Sequence, residues 1–135
     1  GAPQATLFVS TTAADTDVFV RLVDEHPDAA DTRGAALEIC YGMVRLRHRN
    51  GLDQDDLVPA GEIVEIVVQL GPTACRFEAG HRIRVEVTSS DFPNHDRNHN
   101  TGGNDLAESV LITATTTIHH GAKRASRILL PVMPA

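Results

Sequence analysis

This sequence predicts an all-β fold, a β-sandwich or jelly roll, and three observations predict it. Its apolar residues recur with a period of two rather than 3.6, the spacing of a strand with one buried face. The apolar runs are short and separated by turn residues. No clear amphipathic helix interrupts them.

Taken in order, Ala5–Ser10 reads as the first strand, and Asp17–Asp24, rich in Val, Phe and Leu, as the second. Leu37–Arg47 is the third, with an expected break at Gly42. Glu62–Leu70 is the fourth and places Val64, Ile66, Val68 and Leu70 on one face. Thr73–Phe77 is a short fifth. Residues 81–89 alternate most clearly: Ile83, Val85 and Val87 are expected in the core, with Arg82, Arg84, Glu86 and Thr88 in water. Val110–Ile118 repeats the pattern with Thr113, Thr115 and Thr117 on the opposite side. Threonine suits a strand because its β-branched side chain is stiff at χ1. Arg127–Val132 is the last of about eight strands. His26-Pro27-Asp28, Arg49-Asn50-Gly51, Pro59-Ala60-Gly61, Gly71-Pro72 and Ala79-Gly80 supply the turns. Leu52–Leu57 is the one weak helix candidate, short and acidic enough to be a loop.

A chain of 135 residues fits one domain. Its hydrophobic fraction of 41% is enough for an ordinary core. Aromatics are scarce, with four Phe, one Tyr and no Trp, so Val, Ile and Leu must fill that core. The same scarcity argues against a sugar-stacking platform. A net charge of −6 repels phosphate backbones and argues against nucleic acid as a partner. No apolar run approaches the ~18 residues of a membrane-spanning helix. Gly1-Ala2-Pro3-Gln4 lacks the charged and apolar segments of a signal peptide. The compartment is left open, leaning to the cytoplasm. Cys40 and Cys75 both lie in apolar, strand-like segments and are expected as buried free thiols.

The longest polar segment is Ser89–Asp105. Most connections in compact domains run about 4–6 residues, and a much longer one usually functions or docks against something. Phe92 and Pro93 are the apolar residues stranded in it. The candidate contact set is Asp91, Phe92, Pro93, Asn94, Asp96, Arg97 and Asn98.

A search for chemistry yields little else. None of the five serines sits in the Gly-x-Ser-x-Gly elbow that exposes a nucleophile above an α/β sheet. His95, Asp96 and His99 form the densest group of zinc-type ligands, but in an irregular loop their spacing fixes no geometry. His119-His120 ends a strand, so its rings point to opposite faces. Asp15 and Asp17 could offer oxygens to calcium, though such aspartates usually bond nearby backbone in a turn. Gly102-Gly103 is followed by neither a lysine nor a helix, so it is no phosphate cradle. Arg82, Arg84 and Glu86 are explained by cross-strand ion pairs. The residues alone therefore name no catalytic group, cofactor or metal ligand.

An ordered series of segments carries a resemblance. It runs through Asp15-Thr16-Asp17, Arg21-Leu22-Val23-Asp24, His26-Pro27-Asp28 and Gly42-Met43-Val44-Arg45. It continues through Pro59-Ala60-Gly61-Glu62, Leu70-Gly71-Pro72, Gly80-His81-Arg82-Ile83-Arg84-Val85 and Ser90-Asp91-Phe92-Pro93. Asn100-Thr101-Gly102-Gly103 and Ser126-Arg127-Ile128-Leu129-Leu130-Pro131 complete it. Together they resemble the C-terminal domain of the Xaa-Pro dipeptidyl-peptidase and cocaine-esterase-like (CocE/NonD) serine hydrolases, over nearly the whole chain. Asp91, Ala29 and Tyr41 depart from that pattern, which more often has Asn, Gly and Asp there.

The resemblance implies a jelly roll of galactose-binding-domain-like fold, a single domain over residues 1–135. It also implies a non-catalytic role beside an α/β-hydrolase domain and a helical cap, where the chain would pack and help shape the substrate cleft. The serine triad would lie upstream. Expected partners are those two domains of the parent chain, and the isolated domain is expected to be inactive and able to self-associate. The alternative is a stand-alone carbohydrate-binding module, an inference from fold class alone.

Overall fold

The computed structural model describes residues 1–27 and 35–133. Two antiparallel sheets face one another as a β-sandwich. The seven strands among the described residues are β1 Gln4–Thr11, β2 Asp17–Glu25, β3 Ala36–Arg45, β4 Val64–Gln69, β5 Arg82–Thr88, β6 Thr116–His119 and β7 Arg127–Leu129. A 3₁₀ turn, Leu46–His48, follows β3. Among the described residues no helix is long and apolar enough to cross a membrane.

In the first sheet β1 is central, with β4 on one side. On its other side β6 pairs with residues 8–11 and β7 with residues 4–6. In the second sheet β2 lies between β3 and β5. Alternation on β1, β2 and β4 turns Ala5, Leu7 and Val9 toward Val18, Val20 and Leu22, with Ile66, Val68 and Leu70 beside them. All nine are at most 5% exposed, so this is where the core sits. β2 is buried on both faces: Phe19 and Val23, on its outer side, are as hidden as its inner residues. That is the pattern of a central strand covered from outside as well as inside.

The two edges of the sandwich differ. On one, β3 of the second sheet approaches β4 of the first so closely that a Cβ on Gly42 would lie 2.0 Å from the Gln69 carbonyl oxygen. The Gly71 N–H donates to the Tyr41 carbonyl nearby (3.1 Å). Glycine here permits close backbone approach rather than breaking the strand, and β3 runs through it. Its irregularity lies elsewhere, as a bulge opposite Leu22 and Val23 that leaves Ile39 without a partner residue. On the other edge β5 faces β6 and β7 across an open cleft of about 310 Å³, lined by Ala5, Leu7, Val85, Val87, Ile118 and Ile128.

Several expectations are corrected. Ile83, Val85 and Val87 are 54%, 41% and 40% exposed, and the last two line the open cleft. The strand expected over Val110–Ile118 forms only at Thr116–His119. Ile112 instead bonds to the long loop, its N–H donating to the His99 carbonyl and its own carbonyl accepting from Asn100. Thr73–Phe77 is not a strand, although Phe77 packs against the core. Leu52–Leu57 is a loop. Cys40 is buried and Cys75 is exposed, and both are free. Asp28 and Ala29 lie outside the described residues.

Candidate domain-contact site

The long loop crosses the outer face of β2, and buried charge holds it there. Asp15 and Asp17 precede and open β2; Arg45 closes β3 and Arg47 sits in the turn that follows. Pairing of the two strands places Asp17 opposite Arg45. Asp15 is fully buried and Asp17 nearly so. Arg47 donates its backbone N–H (3.0 Å) and Nε (2.7 Å) to the Asp15 carboxylate. Arg45 donates Nε and Nη2 to Asp17 at 2.8 and 3.1 Å, and its Nη1 lies 2.8 Å from Asp105 Oδ2. A buried charge is tolerated only when paired in this way. The Arg45 guanidinium is held above the usual arginine range. The Asp17 hydrogen bond is the main cause, and the charges of Asp17, Asp105 and Asp15 help against an opposing burial.

Asn98 joins the loop to this network. Its Nδ2 donates to Asp15 Oδ2 (2.8 Å) and Asp17 Oδ1 (3.0 Å), while its Oδ1 accepts the Asn100 N–H (2.8 Å). The Gly103 carbonyl accepts from Arg47 Nη1 (3.0 Å). At the loop's start Asp91 pairs with Arg21 of β2, a guanidinium that also reaches Glu38 on β3 and Glu86 on β5. Between these anchors the His95 ring covers Phe19 at 5.2 Å and meets Tyr41 edge-on at 5.9 Å.

The seven loop residues singled out from sequence therefore divide into three groups. Asp91 and Asn98 face inward as tethers. Asn94 closes the turn, its N–H on the Asp91 carbonyl (2.9 Å) and its Nδ2 on the Asp91 carboxylate (3.3 Å). Phe92, Pro93, Asp96 and Arg97 face outward. The Phe92–Pro93 peptide is cis. Phe92 is 58% exposed, and the Arg97 guanidinium lies over its ring at 4.6 Å. Asp96 borders a polar groove of about 750 Å³ between the long loop and residues 45–55.

The tethers Arg21, Arg45 and Arg47 were given no role from sequence, and His95 was considered there only as a zinc-type ligand. A signal for two of them existed: Asp15-x-Asp17 at one strand's start matches Arg45-x-Arg47 at its neighbour's end. Asp15 and Asp17 neither close a local turn nor stand free for calcium; they neutralise arginines about 30 residues away, |i−j| being 32 for Asp15 and Arg47 and 28 for Asp17 and Arg45. His95, Asp96 and His99 are not brought together. His99 joins Asp105 and Glu108 instead. His119 bonds Ser10 Oγ (2.8 Å), yet among the described residues no carboxylate bonds to that histidine to complete a triad. Tyr41, the one tyrosine, places its hydroxyl 3.3 Å from His95 Nε2 rather than offering a free flat face. The ion pairs expected of β5 are present: Arg82 and Arg84 with Glu25, and Arg84 with Glu86.

An outward loop on a charged anchor and one open apolar edge are the main surface features of the described residues. Residues 1–129 match the family model of the X-Pro dipeptidyl-peptidase C-terminal non-catalytic domain. The chain belongs to that family. It is 44% identical over 135 residues to a cocaine esterase of Rhodococcus sp., a match covering 98% of this chain and 23% of the esterase. An α-amino acid ester hydrolase structure superposes with a TM-score of 0.92 at 31% identity, over 98% of this chain and 23% of that one's length. An aminopeptidase from a marine sediment Thaumarchaeota archaeon gives 0.90 at 29%, over 95% of this chain and 22% of its own. The chain thus spans less than a quarter of the length of each of these three proteins.

Proposed function

We propose that this domain serves a larger serine hydrolase of esterase or peptidase type, packing on its catalytic and cap domains and helping to shape the substrate cleft. The observation that carries the proposal is the open edge. Ile83, Val85 and Val87 are ordinary core residues by type and orientation, left about half exposed, and Val85 and Val87 line an apolar cleft. Val110, Leu111 and Ile112 add to the exposed apolar surface. The apolar cleft lined by Val85, Val87, Ile118 and Ile128 is the kind of exposed apolar surface that marks docking. The occupant we assign is the remainder of the same polypeptide, in keeping with relatives that are each more than four times as long. The loop from Asp91 to Asn98 makes a second contact, with Phe92 as its apolar anchor and Arg97 holding the ring upright.

Phe92→Ala in the full-length hydrolase tests the loop. Loss of docking should lower the thermal midpoint and change kcat/KM for bulky substrates, while far-UV circular dichroism stays the same. Unchanged stability and kinetics would remove the loop from the interface.

A further inference from the structure

We infer that Asp24, His26 and His81 form a binding site for one zinc-class divalent ion, at the end of the second sheet remote from the Asp15–Arg47 network. Asp24 is near the end of β2, His26 follows that strand, and His81 immediately precedes β5, the antiparallel neighbour of β2. Strand pairing therefore brings the residues together; Asp24 and His81 are 57 positions apart. The His26 backbone is fixed by its N–H bond to the Ala35 carbonyl (2.8 Å).

One ligand atom from each residue lies within 4.8 Å of the other two. His81 Nδ1 is 3.0 Å from both carboxylate oxygens of Asp24. His26 Nε2 is 3.6 Å from Asp24 Oδ2. That last separation is too long for a hydrogen bond, and the His26 ring makes none among the described residues. It is close to the ~3.3 Å edge of a tetrahedron whose centre lies about 2.0–2.1 Å from each ligand, the zinc distance for imidazole and carboxylate. The side chains are 9%, 18% and 15% exposed for Asp24, His26 and His81, so the site is largely screened from water. Two neutral imidazoles and one carboxylate favour zinc or a neighbouring first-row ion over calcium or magnesium, which prefer oxygen-rich shells. Three protein ligands leave a fourth position for water or another donor.

The second three-residue group, His99, Asp105 and Glu108, is a weaker host. Arg45 already neutralises Asp105, and Thr101 donates to Glu108. A guanidinium at that distance repels a dication. This group is the internal control.

The test strips the 135-residue chain with chelator, then titrates Zn²⁺ against a fluorescent competitor and Co²⁺ by visible absorption. One ion per chain, a tetrahedral cobalt spectrum and a rise of several degrees in Tm are expected. His26→Gln and His81→Gln should each weaken binding at least about tenfold, while His99→Gln retains it. Without any substitution, bound Zn²⁺ should shield His26 and His81 from carbethoxylation. The inference is overturned by absent stoichiometric binding, by binding indifferent to both glutamine substitutions or lost only with His99→Gln, or by equal carbethoxylation with and without metal.

Discussion

The two edges of this sandwich use similar strands and end differently. At the β3–β4 edge the sheets touch backbone to backbone through Gly42 and Gln69, and the core beneath is sealed. At the β5 edge Val85 and Val87 turn inward from a regular ladder with β2, yet meet an unfilled apolar cleft. Alternation decides which way a side chain points. Whether anything waits there is decided by the opposite surface, and at the β5 edge that surface is incomplete.

Substitutions can break this comparison or sharpen it. The largest effect belongs to neither edge and sets the scale. Asp15→Ala strands Arg47 in the interior and should cost about 3–5 kcal/mol in urea unfolding. An effect under about 1 kcal/mol would mean that water reaches the network. Gly42→Val comes next. Its side chain collides with backbone rather than with a yielding side chain, and should cost about 3 kcal/mol. If the change is tolerated, the closed edge is looser than described.

Val20→Ala and Val85→Ala then compare one residue type on neighbouring strands. The first should cost about 2–3 kcal/mol and the second less than about 1 kcal/mol in this chain. In a full-length hydrolase the second value should rise toward the first. Equal values in the isolated chain would contradict the open edge. The smallest effect is chemical. Burial, with the Glu38 and Cys75 charges behind it, pushes the Cys40 thiol above its ordinary range. Exposed Cys75 should therefore react rapidly with a thiol reagent at neutral pH, and Cys40 only on unfolding. The sign for stability follows. The folded chain keeps the Cys40 proton after the unfolded chain has lost it, so stability declines as pH rises above the usual thiol range.

The strands of the sealed half were legible because their apolar faces are both aligned and covered, as in β1, β2 and β4. The long loop was legible by its length and by the misplaced Phe92. Its tethers were harder to find, since an aspartate's partner 30 or 80 residues away leaves no local pattern. Cys75 was misjudged because an apolar neighbourhood in sequence is not a buried one in space. Residues 110–115 alternate like a strand, but 112 takes its backbone partners from the loop instead of a ladder. The Asp24, His26 and His81 group was invisible for a topological reason: it exists only once β2 and β5 are in register.

The position of β1 has a kinetic consequence. Gln4 pairs with Leu129, and the Phe8 N–H is satisfied by Ser126, 118 positions away. The first strand can finish its hydrogen bonding only after residues 126–129 have been made, so until then it presents an unsatisfied border. Folding must be governed by closing this longest loop, a slow event compared with forming any single hairpin, and the nascent chain is most open to misassociation during that wait.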